Sequence, residues 1–132
     1  TLPRRWVTGL AVDPTNAGRV VVTLSGYRDS EPLAHVYLSG DFGETWHPAQ
    51  GNLPEIPVNV VRIHPRFPST WYIGTDAGVF VTRNAGSSWR ALGEDLPVVP
   101  VIDLALEPNR EKLFAATFGR SIYALDLNRA SR

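Results

Sequence analysis

The sequence predicts an all-β protein assembled from repeated sets of short antiparallel strands. Three observations predict it. First, 11 Gly and 11 Pro stand beside 4 Trp, 4 Tyr and 5 Phe in 132 residues. Helices avoid Gly and Pro, whereas turns collect them and strands collect aromatics. Second, the apolar segments are short, rich in β-branched residues and separated by turn-forming clusters. Third, the chain repeats itself. Leu2-Pro3 precedes Val7 to Val12 and Asp13-Pro14. Leu53-Pro54 precedes Val58 to Ile63 and His64-Pro65, and Leu96-Pro97 precedes Val101 to Leu106 and Glu107-Pro108. In each, the second proline follows the first by 11 positions.

The register between repeats is strict. Every marker moves by 43 positions from the second repeat to the third, as do Trp46 to Trp89 and Asp41 to Asn84. The first repeat opens 51 positions before the second, and the extra residues fall near Tyr27 to Ala34, a longer polar loop. A period in the low forties without helical patterning is the signature of β-propeller blades, each a four-stranded antiparallel sheet. The chain therefore reads as one unit, 1–132, of about three blades: a partial propeller or one protomer of an oligomeric ring. Blade one covers about 4–50, blade two about 55–93 and blade three about 98–127.

The strands follow in order. Blade one takes Val7 to Val12, Arg19 to Leu24, His35 to Ser39 and Thr45 to Pro48. Blade two takes Val58 to Ile63, Thr70 to Thr75, Val79 to Thr82 and Ser88 to Ala91. Blade three takes Val101 to Leu106, Lys112 to Thr117 and Ser121 to Leu125. Only Asp126 to Arg132 remain, too little for its fourth strand.

Composition narrows the function classes. Lys plus Arg and Asp plus Glu are 13 each, so the net charge is zero. A strongly basic nucleic-acid surface is excluded, and no polybasic membrane patch is expected. With no Cys there is no disulfide, thiolate metal site or Cys nucleophile. No apolar run approaches the ~20 residues of a membrane-spanning helix, so membrane insertion is not expected, and no signal peptide is visible. The chain opens on Thr1 rather than Met, as expected of an excised or processed piece.

One motif stands out. Ser39-Gly40-Asp41-Phe42-Gly43-Glu44-Thr45-Trp46 fits S-x-D-x-G-x-T-W, and Thr82-Arg83-Asn84-Ala85-Gly86-Ser87-Ser88-Trp89 is a degenerate second copy. A short Asp or Asn side chain accepts hydrogen bonds from the N–H groups of a tight hairpin. Gly43 and Gly86 supply positive φ, Ser39, Thr45, Thr82 and Ser88 supply hydroxyls, and Trp46 and Trp89 cap the turn. Both tryptophans are expected to be largely buried, at equivalent places in successive blades.

These residues resemble the Asp-box, or BNR repeat. Blade three, with Ala-Ala-Thr-Phe-Gly-Arg-Ser-Ile-Tyr-Ala-Leu-Asp-Leu, resembles the closing blade of such propellers. The resemblance runs from about Leu2 to Leu127. It implies a superfamily that includes sialidases, xyloglucan-degrading glycoside hydrolases, sortilin-type receptors and photosystem assembly factors. It also implies a secreted or periplasmic bacterial setting. The Asp-box of that superfamily is structural and lies away from the active site, so the motif speaks for fold and not for chemistry.

Catalytic and ligand-binding readings are weaker. Arg62-Ile63-His64-Pro65 resembles the Arg-Ile-Pro motif of sialidases, but His64 interrupts it, and the position is the end of a first strand. Glycoside hydrolysis needs two carboxylates about 5–10 Å apart. Asp103, on an inner strand where the other repeats carry Gly9 and Val60, is the best candidate. A channel-lining pair with Arg62 is the favoured reading. Asp76 reads as a turn former, and Glu94-Asp95 as solvated. His35, His47 and His64 lack metal-ligand spacing, and no Gly-rich phosphate loop opens a helix, so no metal or cofactor is expected. Phe67, Trp71 and Tyr72 beside Arg66 fit either a sugar or peptide platform or inter-blade core, the latter preferred. Trp6 beside Arg4 and Arg5 fits either a surface or, preferred, the missing partner strand or a blade junction.

Two functions remain. One is a non-catalytic interaction or scaffold module binding a protein or glycan through its loop face. The alternative is the C-terminal blades of a secreted BNR-type glycoside hydrolase, inert because its catalytic carboxylates lie elsewhere. Either way, an open stack of blades leaves apolar faces bare. Further blades of the same protein, or copies of the chain arranged head-to-tail, are expected to close the ring, with Leu2 to Trp6 of one copy beside Ser121 to Leu125 of the next.

Overall fold

Pro and Gly cut the chain into strands too short to do anything but pair with their neighbours. The computed structural model describes residues 2–3, 6–25, 34–93 and 96–127. Arg4, Arg5, the polar loop from Gly26 to Leu33 and Glu94-Asp95 lie outside the described residues. Blade one is β1 (Val7–Asp13), β2 (Asn16–Leu24), β3 (Val36–Ser39) and β4 (His47–Pro48). Blade two is β5 (Val58–Ile63), β6 (Trp71–Thr75), β7 (Gly78–Thr82) and β8 (Arg90–Leu92). Blade three is β9 (Val101–Glu107), β10 (Lys112–Thr117) and β11 (Ile122–Asp126).

Each blade is an antiparallel meander in sequence order, with four strands in blades one and two and three in blade three among the described residues. The first strands lie side by side, β1 against β5 and β5 against β9, and form the inner wall of the stack.

Alternation along each strand sends one set of apolar residues to each face. Val21 and Val36 of blade one meet Val61, Trp71, Ile73 and Trp89 of blade two, with Leu53 from the connector between the blades. Val60, Tyr72, Val79, Val81 and Leu92 on the other face of blade two meet Leu104, Leu113, Ala115 and Leu125 of blade three. Among the described residues the two outermost faces have no such partner. On blade one, Leu10 is 62% exposed, and Val22, Leu24 and Tyr37 gather Leu2, Val20, Ala34 and Trp46, all from the same blade or its entry. On blade three, Phe114 and Ile122 are 41% and 67% exposed.

Trp46 therefore differs from expectation. It is half-buried, whereas Trp89 is buried. The cause is position in the stack: Trp89 has blade one to pack on, and its indole N–H donates to the Ala49 carbonyl at 3.0 Å. Trp46 occupies the same place in the first blade, and among the described residues no other blade packs on it. Leu2 packs in the Val22 cluster, and the Trp6 carbonyl accepts the Ser25 N–H at 3.1 Å, so both residues touch blade one of their own chain.

Both ends of the stack are fixed by repeated bonds. At one end the N–H of Ser25, Asp76 and Phe118 donates to the carbonyl of Trp6, Pro57 and Pro100, respectively. At the other, the residue before each proline accepts the N–H two positions on. Asp13 accepts from Thr15 at 2.8 Å, His64 through Nδ1 from Arg66 at 3.1 Å, and Glu107 from Asn109 at 2.8 Å. That bond assigns His64 the tautomer with its proton on Nε2.

Candidate functional site

The two Asp-box-like turns sit at the end of the stack that holds the Asp13, His64 and Glu107 turns. In the first, Ser39 Oγ accepts the Gly43 N–H at 2.8 Å and donates to Asp41 at 2.8 Å. Asp41 also accepts the Thr45 N–H at 2.8 Å and the Thr45 hydroxyl at 2.5 Å. The second copy repeats the geometry with Thr82 and Asn84. Thr82 Oγ1 accepts the Gly86 N–H at 3.0 Å and donates to Asn84 at 2.9 Å. Asn84 accepts the Ser88 N–H at 2.9 Å, and its amide donates to the Ser88 hydroxyl at 2.8 Å. Gly43 and Gly86 both have φ of 87°, and the residues before them, Phe42 and Ala85, are left-handed at 62° and 55°. These partners occupy the carboxylate of Asp41 and the amide of Asn84, and the bonds hold the backbone of each turn.

The Thr45 hydroxyl, the Thr45 N–H and the Ser39 hydroxyl hold the Asp41 carboxyl down to a pKa of about 2. A depressed carboxyl pKa stabilises the fold above the unfolded value and loses that contribution as pH falls through the folded value. The expected outcome is that Asp41 contributes fully above about pH 4 and loses its contribution as the pH falls toward about 2. Asp41→Asn, which copies Asn84, is expected to fold at neutral pH and to lose less stability than the parent on acidification. Urea midpoints taken across that pH range check this. Equal acid sensitivity in parent and variant counts against it.

The inner wall forms a groove of about 610 Å³ lined by Leu10, Val12, Arg62, Asp103, Ala105 and their neighbours. Asp103 is its one acidic lining residue, and its carboxylate takes the Arg62 guanidinium at 2.9 Å and the Leu104 N–H at 2.9 Å. The pair bridges β5 and β9 and is largely exposed, so its expected energetic weight is about 0–1 kcal/mol. Above the groove, Asn59 donates to Asp76 at 2.9 Å and to the Val101 carbonyl at 3.0 Å. Thr8, at the equivalent position of blade one, donates to the Val58 carbonyl. Asn59 and Thr8 thus pin successive first strands together. The sequence signal was their shared position two residues into each first strand, and residue type alone gave no cue.

The remaining candidates scatter. His35 is buried, with Nδ1 3.0 Å from the Leu24 carbonyl, while His47 is exposed on β4. Trp71 and Tyr72 are fully buried in the two inter-blade cores, and Phe67 lies half-exposed against His64. Trp6 is 84% exposed, and it shares with Phe118 the end of the stack where the first strands begin. No group of three or more His, Asp or Glu able to hold a metal occurs among the described residues.

Neither a protein-family model nor a curated protein matches the sequence. Solved structures do. A GH74 enzyme from Niastella koreensis superposes with a TM-score of 0.71 at 18% identity, over 91% of this chain and 21% of its own. A GH74 xyloglucanase from Xanthomonas campestris gives 0.68 at 15%, over 91% and 22%. YCF48 from Cyanidioschyzon merolae gives 0.66 at 18%, over 96% and 36%. The fold is that of a β-propeller.

At such identity the likeness establishes fold alone. This propeller chain spans about a fifth of the length of those glycoside hydrolases and about a third of that YCF48. One further structure in the same set is YCF48 bound to a D1 peptide, with a TM-score of 0.56 at 13% identity, over 97% of this chain and 44% of its own.

Proposed function

We propose that the chain is a non-catalytic interaction and scaffold module of a propeller, which presents the Trp6 and Phe118 end to a protein or glycan. One observation carries this reading. The groove where hydrolytic chemistry would need two carboxylates about 5–10 Å apart has one, Asp103, already neutralised by Arg62. The exposed rings of Trp6 and Phe118, by contrast, offer apolar area of the kind that carries recognition. The peptide held by YCF48 is a precedent for ligand binding on this fold. In this reading Ser39, Asp41, Thr82 and Asn84 are structural, Arg62 and Asp103 are a channel pair, and further blades or copies of the chain complete the ring.

The second reading, a part of a glycoside hydrolase, draws on the GH74 neighbours and places the catalytic carboxylates on other blades. Incubation of the chain with xyloglucan tests the non-catalytic reading, since the second reading also leaves this chain inert by itself. The expected result is no release of reducing ends. Release that disappears in Asp103→Asn overturns the non-catalytic reading.

A further inference from the structure

We propose that Phe42, at the tip of the first Asp-box-like turn, is the stacking platform of a binding site for a neutral sugar ring, with the Asn16 amide and the Gly40 carbonyl at its rim. The proposal stands apart from the loop-face reading, since this turn lies at the opposite end of the stack from Trp6 and Phe118.

Two things disfavour a phenylalanine at this place. Its backbone is left-handed, with φ of 62°. A Cβ is crowded in that region, which Gly, Asn and Asp enter far more readily. Its ring is also 75% exposed. A lone exposed apolar side chain is ordinary on a protein surface. A bulky one on left-handed backbone is not, and strain of that kind gathers where a ligand is met. The turn itself does not require the ring, because Ala85 takes the same place in blade two with φ of 55°.

The partner of each turn tip shows what was exchanged. The Phe42 N–H donates to the Gly18 carbonyl at 3.0 Å, and the Ala85 N–H donates to the Ser69 carbonyl at 3.0 Å. Gly18 with Phe42 thus stands where Ser69 with Ala85 stands. Gly18 lies outside the left-handed region, so its backbone does not call for glycine. What the glycine supplies is space. A methyl on Gly18 would come 3.3 Å from Phe42 Cε2. The ring therefore rests against the Gly18 main chain, which limits its orientation while most of its surface stays open.

Polar groups converge on the same spot. That methyl would also lie 3.4 Å from Asn16 Oδ1 and 3.4 Å from the Gly40 carbonyl oxygen. Asn16 Oδ1 accepts the Gly18 N–H at 3.0 Å, and among the described residues its Nδ2 group has no protein acceptor. An aromatic face, an amide donor and a carbonyl acceptor thus stand side by side. A sugar ring presents the complement: a face of C–H groups for the aromatic ring, and a rim of hydroxyls that both donate and accept.

Charge and size choose the occupant. Asp41 and Glu44 share the turn with Phe42, and the Asp41 carboxyl, with its pKa of about 2, stays anionic. An acidic sugar or an anionic peptide meets repulsion there. Thr15, Asn16, Ala17 and Glu44, exposed in and beside the two turns, are polar or small. A single ring among such residues falls far short of the ~1,200 Å² that a specific protein–protein interface buries, so a second copy is a poorer occupant.

Cellotetraose is the probe, because its rings carry only equatorial hydroxyls and so bare their C–H faces. Titrated into the isotope-labelled chain, it is expected to shift the amide resonances of Asn16, Gly18 and Phe42 saturably. Phe42→Ala is expected to weaken binding about tenfold or more, and Phe42→Tyr to retain it. Tetragalacturonate, of the same length with a carboxylate on each ring, is expected to bind more weakly. Phe42→Gly is expected to lose binding and to raise the urea midpoint above that of the parent, since glycine relieves the left-handed backbone. A midpoint no higher than the parent's would show that the ring serves the fold, and overturns the proposal. Absence of shifts, shifts confined to the Trp6 and Phe118 end, or binding unchanged in Phe42→Ala also overturn it. Equal affinity for tetragalacturonate overturns the neutral class. Self-association of the chain that Phe42→Ala abolishes overturns the proposal in favour of a second copy.

Discussion

Trp89→Ala is expected to remove about 3–5 kcal/mol of folding stability, the range for deleting a large buried aromatic. Three losses combine. The ring leaves a void in the cluster of Val36, Leu53, Val61 and Trp71 at the junction of blades one and two. The Ala49 carbonyl loses its indole donor. Trp71 loses an aromatic neighbour. Set against a total of about 5–15 kcal/mol for an ordinary domain, this puts the variant near the edge of folding. Trp46→Ala is the internal control. Its ring is half-buried on an open face, so the expected loss is about 1–2 kcal/mol. Urea denaturation of both variants, with midpoint and slope compared, decides the matter. Equal losses at the two positions would show that burial between blades is not what distinguishes them.

Gly86→Ala is expected to cost about 2–5 kcal/mol, and Gly43→Ala only about 1–2 kcal/mol, although both residues have φ of 87°. The backbone penalty is common to the two. The difference lies in what an added methyl would meet. At Gly86 it would lie 2.6 Å from the Ala49 Cβ and 2.7 Å from the Ala49 carbonyl oxygen, which belong to the chain leaving blade one. At Gly43 the nearest atom is a ring carbon of Trp46 at 3.3 Å, and that ring has an open side toward which to move. Thermal or urea unfolding of the two variants checks the ordering. A Gly43 variant as damaged as the Gly86 variant contradicts it.

Much of the architecture was legible in the letters because it is local. The Leu-Pro spacing and the Ser/Thr–Asp/Asn–Gly pattern concern residues joined by a few peptide bonds, and the 43-position register repeats them, so they mark turns and strand ends without any knowledge of packing. What stayed hidden depends on neighbours distant in sequence. Trp46 and Trp89 carry the same letter in the same motif, and only the presence of a preceding blade separates their burial. The left-handed backbone at Phe42 and Ala85 follows from the Gly43 and Gly86 turns but has no residue cue of its own. Of the candidate site residues, Arg62 and Asp103 come together because their strands are adjacent across 41 positions of sequence. A cavity beside His64 had a partial signal in the letters, Phe67 and Tyr72 beside Arg66, whereas Arg83, Glu111 and Leu127 join its lining only through the packing of strands distant in sequence.

The turn before each proline carries one more consequence. Asp13, His64 and Glu107 perform the same task, offering a lone pair to an N–H two residues on. Burial works against the Asp13 carboxylate, but hydrogen bonds from Thr15 and the charge of Arg19 outweigh it and keep its pKa below the usual value. The neutral His64 ring and the Asp13 carboxylate meet one backbone demand with different charge. The electric potential over that end of the molecule is thus a free variable: it can be rewritten blade by blade while the curvature of the main chain stays as it is. A surface of this kind can be made more or less anionic at three sites alone, since each needs only a lone pair and not a charge.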